Sequence, residues 1–212
     1  TGSTTLIGVK AGTSINDTGA DGTVAVGYYA LKSLTTGGNN IAIGYQSLLE
    51  NTTGHSNIAI GYGAMDGSGG TNPADSDHNI FIGTNSGGGD WSAGADAKNE
   101  TNVCVGSGTM DGDLAGANQN TAMGYEALGA VTSGDDNTVI GHQSGDGITT
   151  GSNNTGLGSA TAFDIDANNQ TCIGYQATTS AANAVKIGNG SVSAANIQVD
   201  WTIDSDIRIK KD

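Results

Sequence analysis

The residues best suited to recognition or metal chemistry fall in two Gly- and Asp-rich segments. Residues 66–78, "DGSGGTNPADSDH", carry the single proline, Pro73, together with Asp75, Asp77 and His78. Residues 85–101, "NSGGGDWSAGADAKNET", carry Trp91, one of two tryptophans. A flat indole face suits a pyranose ring, so Trp91 is the leading candidate for sugar stacking; a loop folded back to cap its neighbours is the structural alternative. Loops of this kind often carry binding function. Asp75, Asp77 and His78 are also candidate cation ligands, as are the pairs Asp111/Asp113 and Asp164/Asp166. Calcium takes six or more oxygens, and none of these groups forms an EF-hand loop or a GGxGxD turn repeat. No metal and no cofactor is therefore assigned. A glycoside hydrolase needs two carboxylates set about 5–10 Å apart beside a groove, and the sequence singles out no such pair.

The composition is poor in the material of an ordinary core. Of 212 residues 36 are Gly, 35% are hydrophobic and 5% aromatic. Ordering so much glycine is entropically costly, which makes disorder the first reading to overcome. The net charge is −14, and three of the seven bases (Arg208, Lys210, Lys211) crowd into the last five residues. Nucleic acid is excluded as a partner for the rest of the chain, since phosphate binding needs a basic surface. No apolar run approaches the length of a membrane span, and "TGSTTLIG" is not a signal peptide. The abrupt beginning and end suggest a piece of a longer chain.

Regular spacing argues against disorder. "NIAIGY" begins at Asn40 and again at Asn57. Each apolar cluster ends on a glycine: Gly8, Gly27, Gly44, Gly61, Gly83, Gly106, Gly124, Gly141, Gly158, Gly174 and Gly188, most often 17 residues apart. One and three residues before this glycine stand large or β-branched residues such as Ile41/Ile43, Ile58/Ile60 and Val103/Val105; between them the residue is usually small, as at Ala42, Ala59, Cys104 and Cys172. Phe81 and Val139 break that small column. Such alternation marks a short strand. Three residues after the glycine the side chain is again small, and the next is often Leu or Met (Leu31, Leu48, Met65, Met110, Leu128), which reads as a second short strand beyond a bend. Four residues before it stands Asn: Asn40, Asn57, Asn79, Asn102, Asn120, Asn137 and Asn154, with Gln170 following. Tyr28, Tyr45, Tyr62, Tyr125 and Tyr175 directly follow the glycine.

Two short strands and two turns per unit make one coil of an all-β parallel solenoid of about eleven coils. At roughly 4.8 Å per coil the rod is about 50 Å long. The asparagines should hydrogen-bond from coil to coil and sit at left-handed corners, the tyrosines should stack, and Cys104 and Cys172 should be buried. In this reading the bulky column fills the interior and the small-residue faces lie outside, where several rods approach closely about a common axis.

The phrase N-x-A-I-G-x-x-A at coil-length spacing resembles the head repeats of trimeric autotransporter adhesins, the YadA-like head. That resemblance covers roughly residues 4–192 and implies a left-handed parallel β-roll assembled as a homotrimer, although the YadA-like repeat is nearer 14 residues. The longer "NTAIGYQAL"-type phrase is still more similar to repeats of phage tail-fibre proteins. Residues 193–212 break the pattern. Their end, "WTIDSDIRIKKD", resembles the S-D-x-R-x-K junction that opens the endosialidase-type intramolecular chaperone domain of tail spikes and fibres. The resemblance implies Ser205 as nucleophile and Lys210 as its general base, with Asp206 and Arg208 completing the signature. Self-cleavage is expected only in a precursor that carries the chaperone domain. The resulting expectation is a non-enzymatic structural and adhesive fibre segment on a virion or in an extracellular setting. It would associate with itself, with other fibre or tail proteins and with a host-surface glycan or protein, without membrane insertion. A polysaccharide-hydrolysing tail spike and a bacterial adhesin head are the alternatives.

Overall fold

The computed structural model describes residues 3–16, 19–68, 76–91 and 98–194. Its strands are β1 (Thr5–Ile7), β2 (Val24–Val26), β3 (Ile41–Ile43), β4 (Ile58–Ile60), β5 (Ile80–Ile82), β6 (Val103–Val105), β7 (Thr121–Met123), β8 (Thr138–Ile140), β9 (Thr155–Leu157), β10 (Thr171–Ile173) and β11 (Val185–Ile187). They form one parallel sheet in chain order. The pairing is in strict repeat register: Ile41 lies opposite Ile58, Ala42 opposite Ala59 and Ile43 opposite Ile60. The chain is thus a β-solenoid of about ten turns, and each of the eleven glycines read from the sequence directly follows one strand.

The faces of each strand are the reverse of the sequence expectation. From β2 to β10 the middle, mostly small residue is buried and the bulky flanking residues are half-buried or exposed. A three-residue strand can turn either one side chain inward or two, and this narrow coil has room for one. The rest of the interior is filled from the turn side. The small residue three past the glycine is buried (Ala30, Ser47, Ala64, Thr109), and so is the Leu or Met after it (Leu31, Leu48, Met65, Met110, Leu128).

That second segment is not a strand. It is a chain of turns in which the residues two and four past the glycine take positive φ, as at Gln46 (57°) and Leu48 (51°). Coil-to-coil bonding continues through it nonetheless, with the Leu31 amide 3.0 Å from the Ser47 carbonyl and the Leu48 amide 2.9 Å from that of Ala64. A third positive-φ column lies just before the ladder asparagines, at Asn39 (61°), Ser56 (57°) and Asn153 (60°), and not at the asparagines themselves. Among the described residues twenty-two that are not glycine have φ near +50 to +60°. Each costs about 1 kcal/mol relative to a right-handed conformation, so the coil depends on its neighbours to hold it. The strand-ending glycine has no substitute. Gly44 sits at φ 139°, and a Cβ there would collide with the carbonyl oxygen of Gly61.

The exceptions to the small column follow a compensation rule. Phe81 occupies the inward strand position of its coil, and Gly87 stands where other coils have Leu or Met; a Cβ on Gly87 would lie 2.7 Å from the Phe81 ring. Val139 is paired in the same way with Gly145, and Leu6 with Gly12. Ala25, Ala42, Ala59, Cys104 and Ala122 are matched by Leu31, Leu48, Met65, Met110 and Leu128 in the turn. The coils from β1 to β8 therefore fill the same volume by one of two routes, as close packing requires.

Candidate functional site

The ladder asparagines are fully buried. The Asn57 backbone N–H donates to Asn40 Oδ1 at 2.9 Å, and its side-chain amide donates to the same oxygen at 3.3 Å and to the Ser76 carbonyl at 2.8 Å. Asn79, Asn102, Asn120 and Asn137 repeat this pattern at 2.7–3.1 Å. Asn154 and Gln170 each donate a backbone N–H to the preceding asparagine oxygen. The coil-to-coil amide bonding expected from the sequence is present, and it satisfies both amide hydrogens and the carbonyl of an otherwise costly buried group.

A second ladder, two residues earlier in each coil, runs in the opposite sense. Here the side chain of one coil accepts from the backbone of the coil before it. The Gly38 N–H donates to His55 Nδ1 (3.1 Å), His55 N–H to Asp77 Oδ1 (2.6 Å), Glu100 N–H to Asn118 Oδ1 (2.7 Å), Asn118 N–H to Asp135 Oδ1 (2.8 Å), Asp135 N–H to Ser152 Oγ (3.0 Å) and Ser152 N–H to Asn168 Oδ1 (2.6 Å). Its members share acceptor capacity but not residue type, so no column of identical letters announces it.

The binding candidates separate in space. Trp91 is 4% exposed and packs on Phe81, ring centroids 5.8 Å apart. So buried an indole is no open stacking platform, which corrects that expectation. Asp77 serves the second ladder, while His78 is exposed at a positive-φ corner. Asp113 accepts from the Asp90 backbone, and Asp166 from the Thr149 and Thr150 hydroxyls, which hold its carboxyl below the usual range. Burial pushes Asp66 and Asp111 upward, and Asp66, Asp113 and Glu126 add to the effect at Asp111. Among the described residues no group of three or more His, Cys, Asp or Glu is placed to hold a metal ion. Cys104 and Cys172 are buried free thiols, and burial raises the Cys104 thiol well above its ordinary value. Pro73, Asp75, Ser205, Asp206, Arg208 and Lys210 lie outside the described residues.

The outward face of the sheet is the largest feature left. The residue before every strand-ending glycine is apolar: Ile7, Val26, Ile43, Ile60, Ile82, Val105, Met123, Ile140, Leu157, Ile173 and Ile187. The ridge is open along its length, with Met123 45% and Leu157 50% exposed. Beside it run Val24, Ile41, Ile58, Ile80 and Val103 in the first half, then Thr121, Thr138, Thr155 and Thr171. On the other side Tyr28, Tyr45 and Tyr62 stack as expected, whereas Tyr125 and Tyr175 have no tyrosine neighbour to stack on among the described residues. Tyr28–Tyr45 and Tyr45–Tyr62 centroids are 5.3 and 5.0 Å apart and nearly parallel, and His142 stacks on Tyr125 at 5.3 Å. Stacking covers the ring faces and leaves edges and hydroxyls outward.

No helix among the described residues is long and apolar enough to cross a membrane. Comparison with protein-family models, with curated proteins and with solved structures finds no match.

Proposed function

We propose that the chain is a structural segment of an extracellular fibre, of the phage tail-fibre type, in which three copies lie side by side along one axis with their outward sheet faces together. The observation that carries this is the uninterrupted apolar ridge on all eleven strands. Eleven strands at about 4.8 Å and a width of roughly 10 Å give an apolar strip of about 500 Å², at the upper end of what a monomer exposes. A second copy of the same rod presents a strip of the same length, pitch and character. This reverses the surface that the sequence suggested for association: the small residues face the coil interior, and the bulky ones face the neighbour. A rod clamped this way serves to project and hold, with host or partner contact at loops, corners or an end. The reading also retains Ser205 and Lys210 as a self-cleavage pair in a longer precursor.

Sedimentation equilibrium tests the proposal. The chain should run at three times its 21.0 kDa mass, and Ile140→Glu with Leu157→Glu should dissociate it by placing unpaired charges at the contact. A monodisperse, fully folded monomer of the unaltered chain would refute it.

A further inference from the structure

On a chain of net charge −14, two lysines converge on one tyrosine near the N-terminal end of the rod. Lys10 Nζ lies 5.2 Å from the Tyr29 ring centroid and donates to the Tyr29 hydroxyl at 3.1 Å; Lys32 Nζ lies 5.0 Å from the same centroid. Both lysines are exposed, and Tyr29 is half-buried against Tyr28, centroids 4.0 Å apart. Among the described residues Lys98–Glu100 is the single ion pair, and neither Lys10 nor Lys32 takes part in one. Two like charges gathered on one ring repel each other, and an anion set between them would relieve that repulsion. The hydrogen bond with Tyr28, then the one with Lys10, hold the Tyr29 phenol below its ordinary pKa, and the charges of Lys10 and Lys32 add to the effect.

We infer that Lys10, Tyr29 and Lys32 bind an anionic saccharide, its carboxylate or sulfate held by the two ammonium groups and its ring set against the exposed edges of Tyr28 and Tyr45. The net negative charge of the chain does not forbid this, because charges separated by more than about 8 Å are largely screened at physiological salt. The choice of a saccharide rests on the adhesive part of the fibre reading; the choice of an anion does not. A two-ammonium site is weak and salt-sensitive for one residue of sugar, and a multi-copy fibre multiplies it by avidity.

The test is calorimetric titration with oligogalacturonate, with a sulfated oligosaccharide and with neutral maltohexaose, each followed by sedimentation of the same sample. One or both acidic oligomers should bind at least tenfold more tightly than the neutral one, and the carboxylated and sulfated arms identify the anion. Lys10→Gln with Lys32→Gln should abolish binding without shifting Tm, whereas Lys10→Arg with Lys32→Arg should retain it. Equal affinity for the neutral oligomer, or no binding of any, overturns the proposal. So does a change of oligomeric state in the double Gln variant, which would assign the lysines to a contact between copies. Binding by a chain that sediments as a monomer would keep this site and remove the trimer.

Discussion

At the residue scale the solenoid relies on polar side chains used as spacers between coils. Asn79 is the clearest case: its carbonyl accepts from Asn102 twice, and its amide donates to Asn57 and to the Asn99 carbonyl. Asn79→Ala removes all of these and leaves buried groups unpaired, each costing about 1–3 kcal/mol. Chemical denaturation should show a loss of at least ~3 kcal/mol, and Asn79→Asp a comparable one. Asp111 behaves oppositely. Burial, then the nearby Asp66, Asp113 and Glu126, raise its carboxyl above the ordinary value, while the Gly88 N–H pulls the other way. The folded state holds this proton more tightly than the unfolded chain does. Its contribution is therefore fully present below the unfolded value and is lost as pH rises through the raised folded one. Asp111→Asn keeps an acceptor for Gly88 and removes the charge. Its Tm should rise relative to the unaltered chain at pH 7 and match it near pH 3.

At the element scale the coils from β1 to β8 each enclose a fixed volume with two ways of filling it. Phe81→Ala opens a cavity and should cost about 3–5 kcal/mol. Gly87→Leu alone forces a side chain into the Phe81 ring and should cost about 1–3 kcal/mol. Together they rebuild the Ala-plus-Leu solution of the β2, β3 and β7 coils, whose leucines already tolerate φ near 50°. A double-mutant cycle should therefore recover most of the loss, and additive penalties would show that the compensation rule is false. The exceptions at Phe81 and Val139 were visible in the sequence. Their partners, Gly87 and Gly145, lie six residues on in another column, and only the folded coil shows that the two columns meet.

At the scale of the whole molecule, each coil contacts its two neighbours and stability accumulates along the rod. The ends differ from the middle. β1 and β11 are exposed throughout, and Lys186 occupies the inward column of the last coil. A charge there closes the stack against further strand pairing. Hydrogen exchange should be slowest in β4–β8 and fastest in β1 and β11; uniform protection from end to end would contradict a one-dimensional stack. In the proposed trimer the outward ridge would couple the rods laterally, so dissociation by Ile140→Glu and Leu157→Glu should also lower protection along the entire length.

The sequence by itself determined the class, the count and the register. Eleven glycines marked the ends of eleven strands, nine of them at a φ of 128–145° that only glycine fits beneath the next coil, and identical asparagines announced their ladder because stacking equal residues makes equal bonds. Tertiary structure alone decided which way each strand faces. Alternation gives two faces but not their direction, since that depends on how wide the closed coil is. It also decided that the second apolar segment is a run of left-handed turns, that Trp91 points inward, and that chemically unlike residues from His55 to Asn168 form one ladder. These outcomes rest on distances between coils, which no single repeat contains.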